Sequence, residues 1–144
     1  TELRQCQLLQ EPLCVMAPAG FAGELDAARY LQAEHVAVTS RRRGLCVEDL
    51  ALAQQGLQRQ VRQRCQHYLS AALLVRQRGW LLSLPRRYAE LLNGGLGNRL
   101  LDMPIALPAV TLNLYWARRL DNDPAHRWLR QTLLELAQRQ AVDE

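Results

Sequence analysis

Leu107–Gln138 reads LPAVTLNLYWARRLDNDPAHRWLRQTLLELAQ, and its reading decides the fold class. From Val110 to Trp116 every residue except Thr111 and Asn113 is apolar or aromatic, which predicts a core strand with both faces largely covered. Arg118 to Asn122 breaks the pattern. Asp123 followed by Pro124 is a helix start, a carboxylate N-cap and then a proline at the position where a missing N–H costs nothing. Trp128, Leu129, Leu133, Leu136 and Ala137 recur at helical spacing and predict an apolar stripe on a helix ending near Gln138. A stripe that carries a tryptophan needs a sheet to lie on, so the preceding chain has to supply strands.

It does so in alternation with helices. Leu8–Ala17 reads as a strand with a kink at Pro12, and Ala19–Gly23 as a turn. Gly23–Glu34 carries Leu25, Ala28 and Leu31 on one helical face, and His35–Thr39 reads as a short buried strand. Val47–Gln55 is a second helix closed by Gly56, and Gln58–Arg64 with Cys65 a strand with one exposed face. Tyr68–Arg78 is an apolar helix ending in Gly79, and Trp80–Leu84 a buried strand ended by Pro85. Arg86–Leu92 is a short helix stopped by Asn93, Gly94 and Gly95, and Leu100–Met103 a minor strand. This order predicts an α/β domain of three layers around a mostly parallel, mixed sheet. No repeat, low-complexity tract or linker interrupts it. A length of 144 residues suits one ordinary domain.

Composition narrows the function. Nearly half the residues are apolar, yet no run reaches bilayer length and no charged-then-apolar leader opens the chain, so a soluble cytoplasmic protein without membrane contact is expected. A chain that opens almost at once on a strand, with no initiator methionine, reads as a cut fragment. The net charge is +4, and all 18 basic residues are arginine, which reads as a compositional habit more than as a phosphate site. Cys6, Cys14, Cys46 and Cys65 have no CxxC or paired metal-ligand spacing, so they read as reduced, inert thiols, with neither metal nor cofactor expected.

Open sheets of this class bind ligands beyond the carboxyl ends of their strands. Three junctions fit: Thr39–Gly44, Cys65–Tyr68 and Leu84–Arg87, which set polar or cationic side chains beside helix-start N–H donors and together make an anion-friendly rim. Within Ser40-Arg41-Arg42-Arg43-Gly44 three adjacent arginines cannot all point one way, so at most one, Arg41, is expected to clamp an anion, with Thr39 and Ser40 nearer the strand end. His67, between Gln66 and Tyr68, can bond a ligand oxygen; His35 and His126 read as structural. Catalysis has little support. The chain holds no GxSxG, no glycine-rich phosphate loop after a strand and no HExxH, and a Cys65–His67 pair has no third group to orient it.

The order of these segments resembles a known family. LNLYWARRLDNDPAHRWLR after ALPAV, and before it LQAEHVAVTSRRRG, VEDLALAQQGLQRQVRQRCQHYLSAALLV and LLSLPRRYAELL, are similar to the effector-sensing domain of LysR-type bacterial transcription regulators, nearest the branch sensing small aromatic acids or plant phenolics. The resemblance covers essentially the whole chain. It implies a fold like that of type 2 periplasmic binding proteins, with about residues 10–103 as the second regulatory subdomain and 104–144 as the closing strand and helix of the first. It also implies that the winged helix-turn-helix, which alone would touch DNA, lies outside this chain.

Carried over by position, the effector contacts are Thr39, Ser40, Arg41, Gln66, His67, Tyr68, Leu84 and Pro85. The partners implied are a small anionic effector, aromatic or carboxylate, and further copies of the protein in a homodimer or homotetramer; no enzyme activity is implied. Gly20-Phe21-Ala22-Gly23 departs from the His-Pro-Leu-Ala turn usual in the family, which bears on local loop shape. With half of the first subdomain absent, Trp128 and Leu133 are expected to lie open or to pair with another copy. Rival readings are a solute-binding protein of the same fold, direct nucleic-acid contact through the arginines, and an enzyme built on Cys65 and His67.

Overall fold

The computed structural model describes residues 2–142. Its elements are β1 (Leu3–Glu11), β2 (Leu13–Ala17), α1 (Ala27–Gln32), β3 (Glu34–Val38), α2 (Val47–Gln54), β4 (Gln60–Cys65), α3 (Tyr68–Arg78), β5 (Leu81–Pro85), α4 (Arg86–Asn93), β6 (Arg99–Asp102), β7 (Val110–Ala117) and α5 (Pro124–Val142), with a 3-10 turn at Arg118–Leu120. The α/β class is as the sequence predicts. The bounds of α3 match the expected ones because both ends are written locally: Gly79 takes the left-handed conformation at φ +74°, and its N–H donates to the Val75 carbonyl at 3.0 Å.

The chain forms two compact units. One runs from Pro12 to Ala109; the other joins the chain up to Glu11 with the chain from Val110 onward. The expected single strand over Leu8–Ala17 is two strands in two sheets. Pro12 has no N–H to donate to a ladder, so the sheet changes where the proline falls.

In the larger unit a five-stranded sheet has the order β4-β3-β5-β2-β6. β3 pairs in parallel with β4 and β5, and β2 runs antiparallel to β5 and β6, so β2 alone opposes the other four. Side-chain alternation sends Cys14, Met16, Val36, Leu82 and Leu84 to one face, where they pack on Ala71, Ala72 and Val75 of α3 and Ala89 of α4. Val15, Ala17 and Leu81 meet Tyr30 of α1, Leu52 of α2 and Ile105 on the other. The expected helix over Gly23–Glu34 shortens to α1. Asp26 caps it by accepting the Arg29 N–H at 2.7 Å, while the Arg29 guanidinium holds the Ala22 and Glu24 carbonyls, fixing the preceding residues as a turn.

In the smaller unit β1 and β7 form a two-stranded antiparallel sheet with α5 against β1. β7 is therefore not covered on both faces; Tyr115 is 56 % exposed. Its apolar pattern is that of a core strand, but one neighbouring strand and one helix cannot enclose it. The start of α5 is as expected, with Asp123 accepting the His126 N–H at 2.9 Å ahead of Pro124. Its end runs past Gln138 because Arg139, Gln140 and Ala141 are all good helix formers. Of its apolar stripe, Ala137 is buried and Leu133 half-buried, while Trp128 is 67 % exposed and Leu129 and Leu136 are also exposed.

A polar network lies inside the larger unit. Arg59, its side chain fully buried, donates to the Asp49 carboxylate (2.6 Å), the Tyr30 hydroxyl (3.2 Å), the Ser83 hydroxyl (3.3 Å) and the Cys46 sulfur (3.4 Å). The Cys46 thiol donates to Asp49 at 2.9 Å. Next to it, fully buried His35 places Nε2 2.6 Å from the Tyr30 carbonyl, while its Nδ1 has no hydrogen-bond partner among the described residues. Burial lowers its pKa from 6.5 to about 4, so the ring is neutral at pH 7 and Nε2 carries the proton.

Two predictions follow from this network. Arg59→Met leaves the Asp49 carboxylate buried beside a thiol alone and lowers the unfolding free energy by about 3 kcal/mol in urea titration, whereas Arg59→Met/Asp49→Leu recovers most of the loss. The unfolded His35 takes up a proton below pH 6.5 and the folded one only near pH 4. Its contribution is therefore complete above pH 6.5 and is lost as pH falls through that window, by up to about 3 kcal/mol. His35→Gln flattens that part of the stability–pH curve.

Candidate functional site

Three adjacent parallel strands, β4, β3 and β5, end on the same edge of the sheet, and their onward loops diverge. The chain leaving β3 enters α2 on one face, while the chains leaving β4 and β5 enter α3 and α4 on the other. The end of β3 is thus flanked by loops that part to opposite sides, the position at which open sheets of this class bind ligands.

Each loop is pinned near its root. The Thr39 N–H donates to the Cys65 carbonyl at 2.9 Å, tying the first two loops together, and the Arg41 N–H donates to Thr39 Oγ1 at 3.1 Å. Thr39 is half-buried; Ser40 and Arg41 are exposed. Gln66 and His67 are also exposed, and His67 occupies the N-cap of α3 without a side-chain capping bond. The start of α3 is therefore not capped by the side chain at its N-cap. Tyr68 is half-buried and stands edge-on to Tyr88 of α4, ring centroids 5.3 Å apart at 76°. Burial first, and then the charge of Glu48, push the Tyr68 hydroxyl up to about 12, so it is a neutral donor at physiological pH.

At the third loop Pro85 is half-buried, ends β5 and is the N-cap of α4; the Arg86 N–H donates to the Pro12 carbonyl at 3.0 Å, and the Arg86 guanidinium pairs with Asp102 at 2.5 Å. The sequence expectation therefore divides. Thr39, Ser40, Arg41, Gln66, His67, Tyr68 and Pro85 come to one edge with surface to offer. Leu84 does not; its side chain is fully buried among Cys14, Ala89 and their neighbours, because strand parity turns it into the core.

Sequence reasoning missed Tyr88, the Arg86–Asp102 pair and Glu48, a buried carboxylate in the first turn of α2. Nothing local marks Tyr88 as meeting Tyr68, twenty residues away in sequence, or Glu48 as buried. Burial raises Cys14 to about 11, Cys46 to about 12, and Cys65 above its ordinary value. No group of three His, Cys, Asp or Glu residues able to hold a metal occurs among the described residues, and no helix there is long and apolar enough to cross a membrane.

Comparison with known proteins bears on the family and the fold. The LysR substrate binding domain family model matches residues 1–138. The HTH-type transcriptional activator NagR of a Ralstonia species is 27 % identical over 112 residues, 78 % of this chain and 37 % of NagR, so the chain spans little more than a third of this curated relative. Among solved structures, the probable transcriptional regulator PA0477 of Pseudomonas aeruginosa aligns at a TM-score of 0.82 with 28 % identity, over 91 % of this chain and 44 % of that one. The BenM effector binding domain with its effector benzoate shares the fold at a TM-score of 0.74 with 11 % identity, over 96 % of this chain and 65 % of that one. The mixed α/β architecture is that of LysR effector-binding domains, which resemble periplasmic binding proteins. With residues 1–138 matched, this chain belongs to the LysR substrate-binding domain family.

Proposed function

We propose that this chain is the sensing part of a bacterial LysR-type transcription regulator and that it binds a small ring-bearing carboxylate at the strand-end edge of its larger unit. The observation that carries the reading is the convergence of Thr39–Arg41, Gln66–Tyr68 and Pro85 on one edge, beside a helix start that no side chain caps. In this arrangement the carboxylate takes the N–H groups at the start of α3 together with Arg41, and His67 and Thr39 bond its remaining oxygen. The Tyr68–Tyr88 pair supplies an aromatic wall for the ring. A fold shared with a benzoate-bound sensor supports the ligand class. Leu84 lies behind this surface and shapes it only through packing.

The protein acts in the cytoplasm as a homodimer or homotetramer, and the two compact units are its two regulatory subdomains. Binding is not catalysis: the effector favours one arrangement of the sensor over another, and that population shift reaches a DNA-binding domain outside this sequence. A solute-binding role is the weaker reading, since the relatives named above are transcription regulators.

A thermal-shift screen tests the proposal on this chain and on one extended to the length of its relatives, with benzoate, salicylate and shikimate set against succinate and acetate. A ligand at about a hundred times its dissociation constant stabilises by roughly 2.7 kcal/mol, a rise of several degrees in melting temperature. The expected result is a rise with a ring carboxylate that falls by more than half in His67→Ala/Arg41→Ala. No rise with any ring carboxylate, or a rise that the double variant keeps, overturns it.

A further inference from the structure

Arg86 follows Pro85 directly and makes two contacts that lead away from the effector edge. Its N–H donates to the Pro12 carbonyl at 3.0 Å, and its half-buried guanidinium pairs at 2.5 Å with the exposed carboxylate of Asp102. Pro12 is the first residue of the larger unit, so the chain enters the unit there. Asp102 ends β6, the last strand before the chain leaves the unit at Ala109. One residue beside the effector edge is therefore bonded at the chain's entry and at the end of its last strand before the exit.

The sheet order makes this possible. β2 lies between β5 and β6, and Cys14 is in register with Leu84 on one side and with Asp102 on the other. The end of β5, the start of β2 and the end of β6 thus form one row. α4 starts on that row, and the Arg86 side chain spans β2 to reach Asp102. Neither contact is demanded by the helix or by stability. A first-turn N–H has no partner inside its own helix, and an ion pair to an exposed carboxylate adds little to the folded state. The other two effector junctions have no equivalent. Thr39 and Cys65 bond to each other, and among the described residues no hydrogen bond or ion pair joins those junctions to Pro12 or Asp102.

We propose that Arg86 is the positioning residue through which an effector seated against Pro85 acts on the two places where the chain passes between its units. The inference rests on the effector reading given above. A ligand packed on Pro85 sets the start of α4, and the first N–H and first side chain of that helix set Pro12 and Asp102 in the same step. The link is made of two separable bonds, so each can be cut by itself.

The test is hydrogen exchange on the full chain, read by mass spectrometry in residues 11–16 and 101–106. Benzoate, salicylate and shikimate are tried in turn by calorimetry, and any that binds is used at ten times its dissociation constant for each variant. Exchange in α1, which packs on the opposite face from α4, registers overall stabilisation and is the reference. The expected result is that ligand slows both segments at least threefold more than α1. Arg86→Met, which keeps the N–H, loses the effect in 101–106 and keeps it in 11–16; Asp102→Asn does the same. Arg86→Pro removes both bonds and loses both effects. Proline fits there, because Pro85 already has the extended conformation that precedes a proline, φ −57° and ψ 134°, and the first helical position accepts one. If circular dichroism finds either Arg86 variant unfolded, Asp102→Asn, a change at an exposed side chain, carries the reading. A ligand that binds but slows neither segment beyond α1, or that slows both equally in Arg86→Pro or 101–106 equally in Asp102→Asn, overturns this inference and leaves the effector reading standing. Binding by none of the three ligands overturns both.

Discussion

The layering of the larger unit depends on β3 having a parallel neighbour on each side. Parallel neighbours cannot be joined by a hairpin, so each step needs a crossover helix, and such crossovers are right-handed. From β3 the chain moves one way to β4; from β4 it moves back across β3 to β5. Two right-handed steps in opposite directions must pass over opposite faces, which is why α2 and α3 lie on different sides of the sheet. The three-layer form and the parting of the loops at Thr39 are thus consequences of a single strand order.

The buried network around Arg59 answers a problem that this arrangement poses. The face covered by α1 and α2 is thinly apolar, since Ser83 and His35 both project into it from central strands. Each brings polar atoms that need partners out of water. Arg59 supplies several at once. Its planar fork reaches Ser83 of β5, Tyr30 of α1 and both Cys46 and Asp49 of the α2 start, so four segments are set against one rigid group. A purely apolar packing of that face would be as stable or more so, but it would fix the position of α2 less sharply. The chain into α2 carries Thr39, Ser40 and Arg41, the first of the proposed effector contacts.

What the sequence disclosed was what local chemistry determines. Asp123-Pro124 and Gly79 mark helix ends because capping involves residues a few places apart, and the junctions at Thr39, Gln66 and Pro85 were found because strand ends can be located without knowing strand order. What it concealed was set by distant partners. Nothing in Val110–Trp116 records that the strand has one neighbour in place of two, so an apolar run read as covered is half-open. Arg59 looks like its neighbours in a glutamine- and arginine-rich run, yet Asp49, Tyr30 and Ser83 draw it inside. Leu84 was misread for want of parity: Ser83 faces the α1 side, so the residue beside it must face the other core.

The smaller unit illustrates how few contacts such a structure can rely on. Two strands with one helix are marginal by area alone, and Leu112, Tyr115, Trp128 and Leu136 remain exposed. Its order is concentrated at one end, on Asp121. That carboxylate accepts the Trp116 indole N–H at 2.6 Å from β7 and the Arg4 guanidinium at 3.2 Å from β1, bonds that hold its acidity below the usual carboxylate range. Arg130 of α5 lies 4.6 Å over the Trp116 ring and donates to the Leu120 and Asp121 carbonyls. The turn that the sequence shows as a break in an apolar pattern, Arg118 to Asn122, is therefore the joint on which both strands and the helix meet. The polar interruption between strand and helix does more to define this unit than the apolar stripe that follows it.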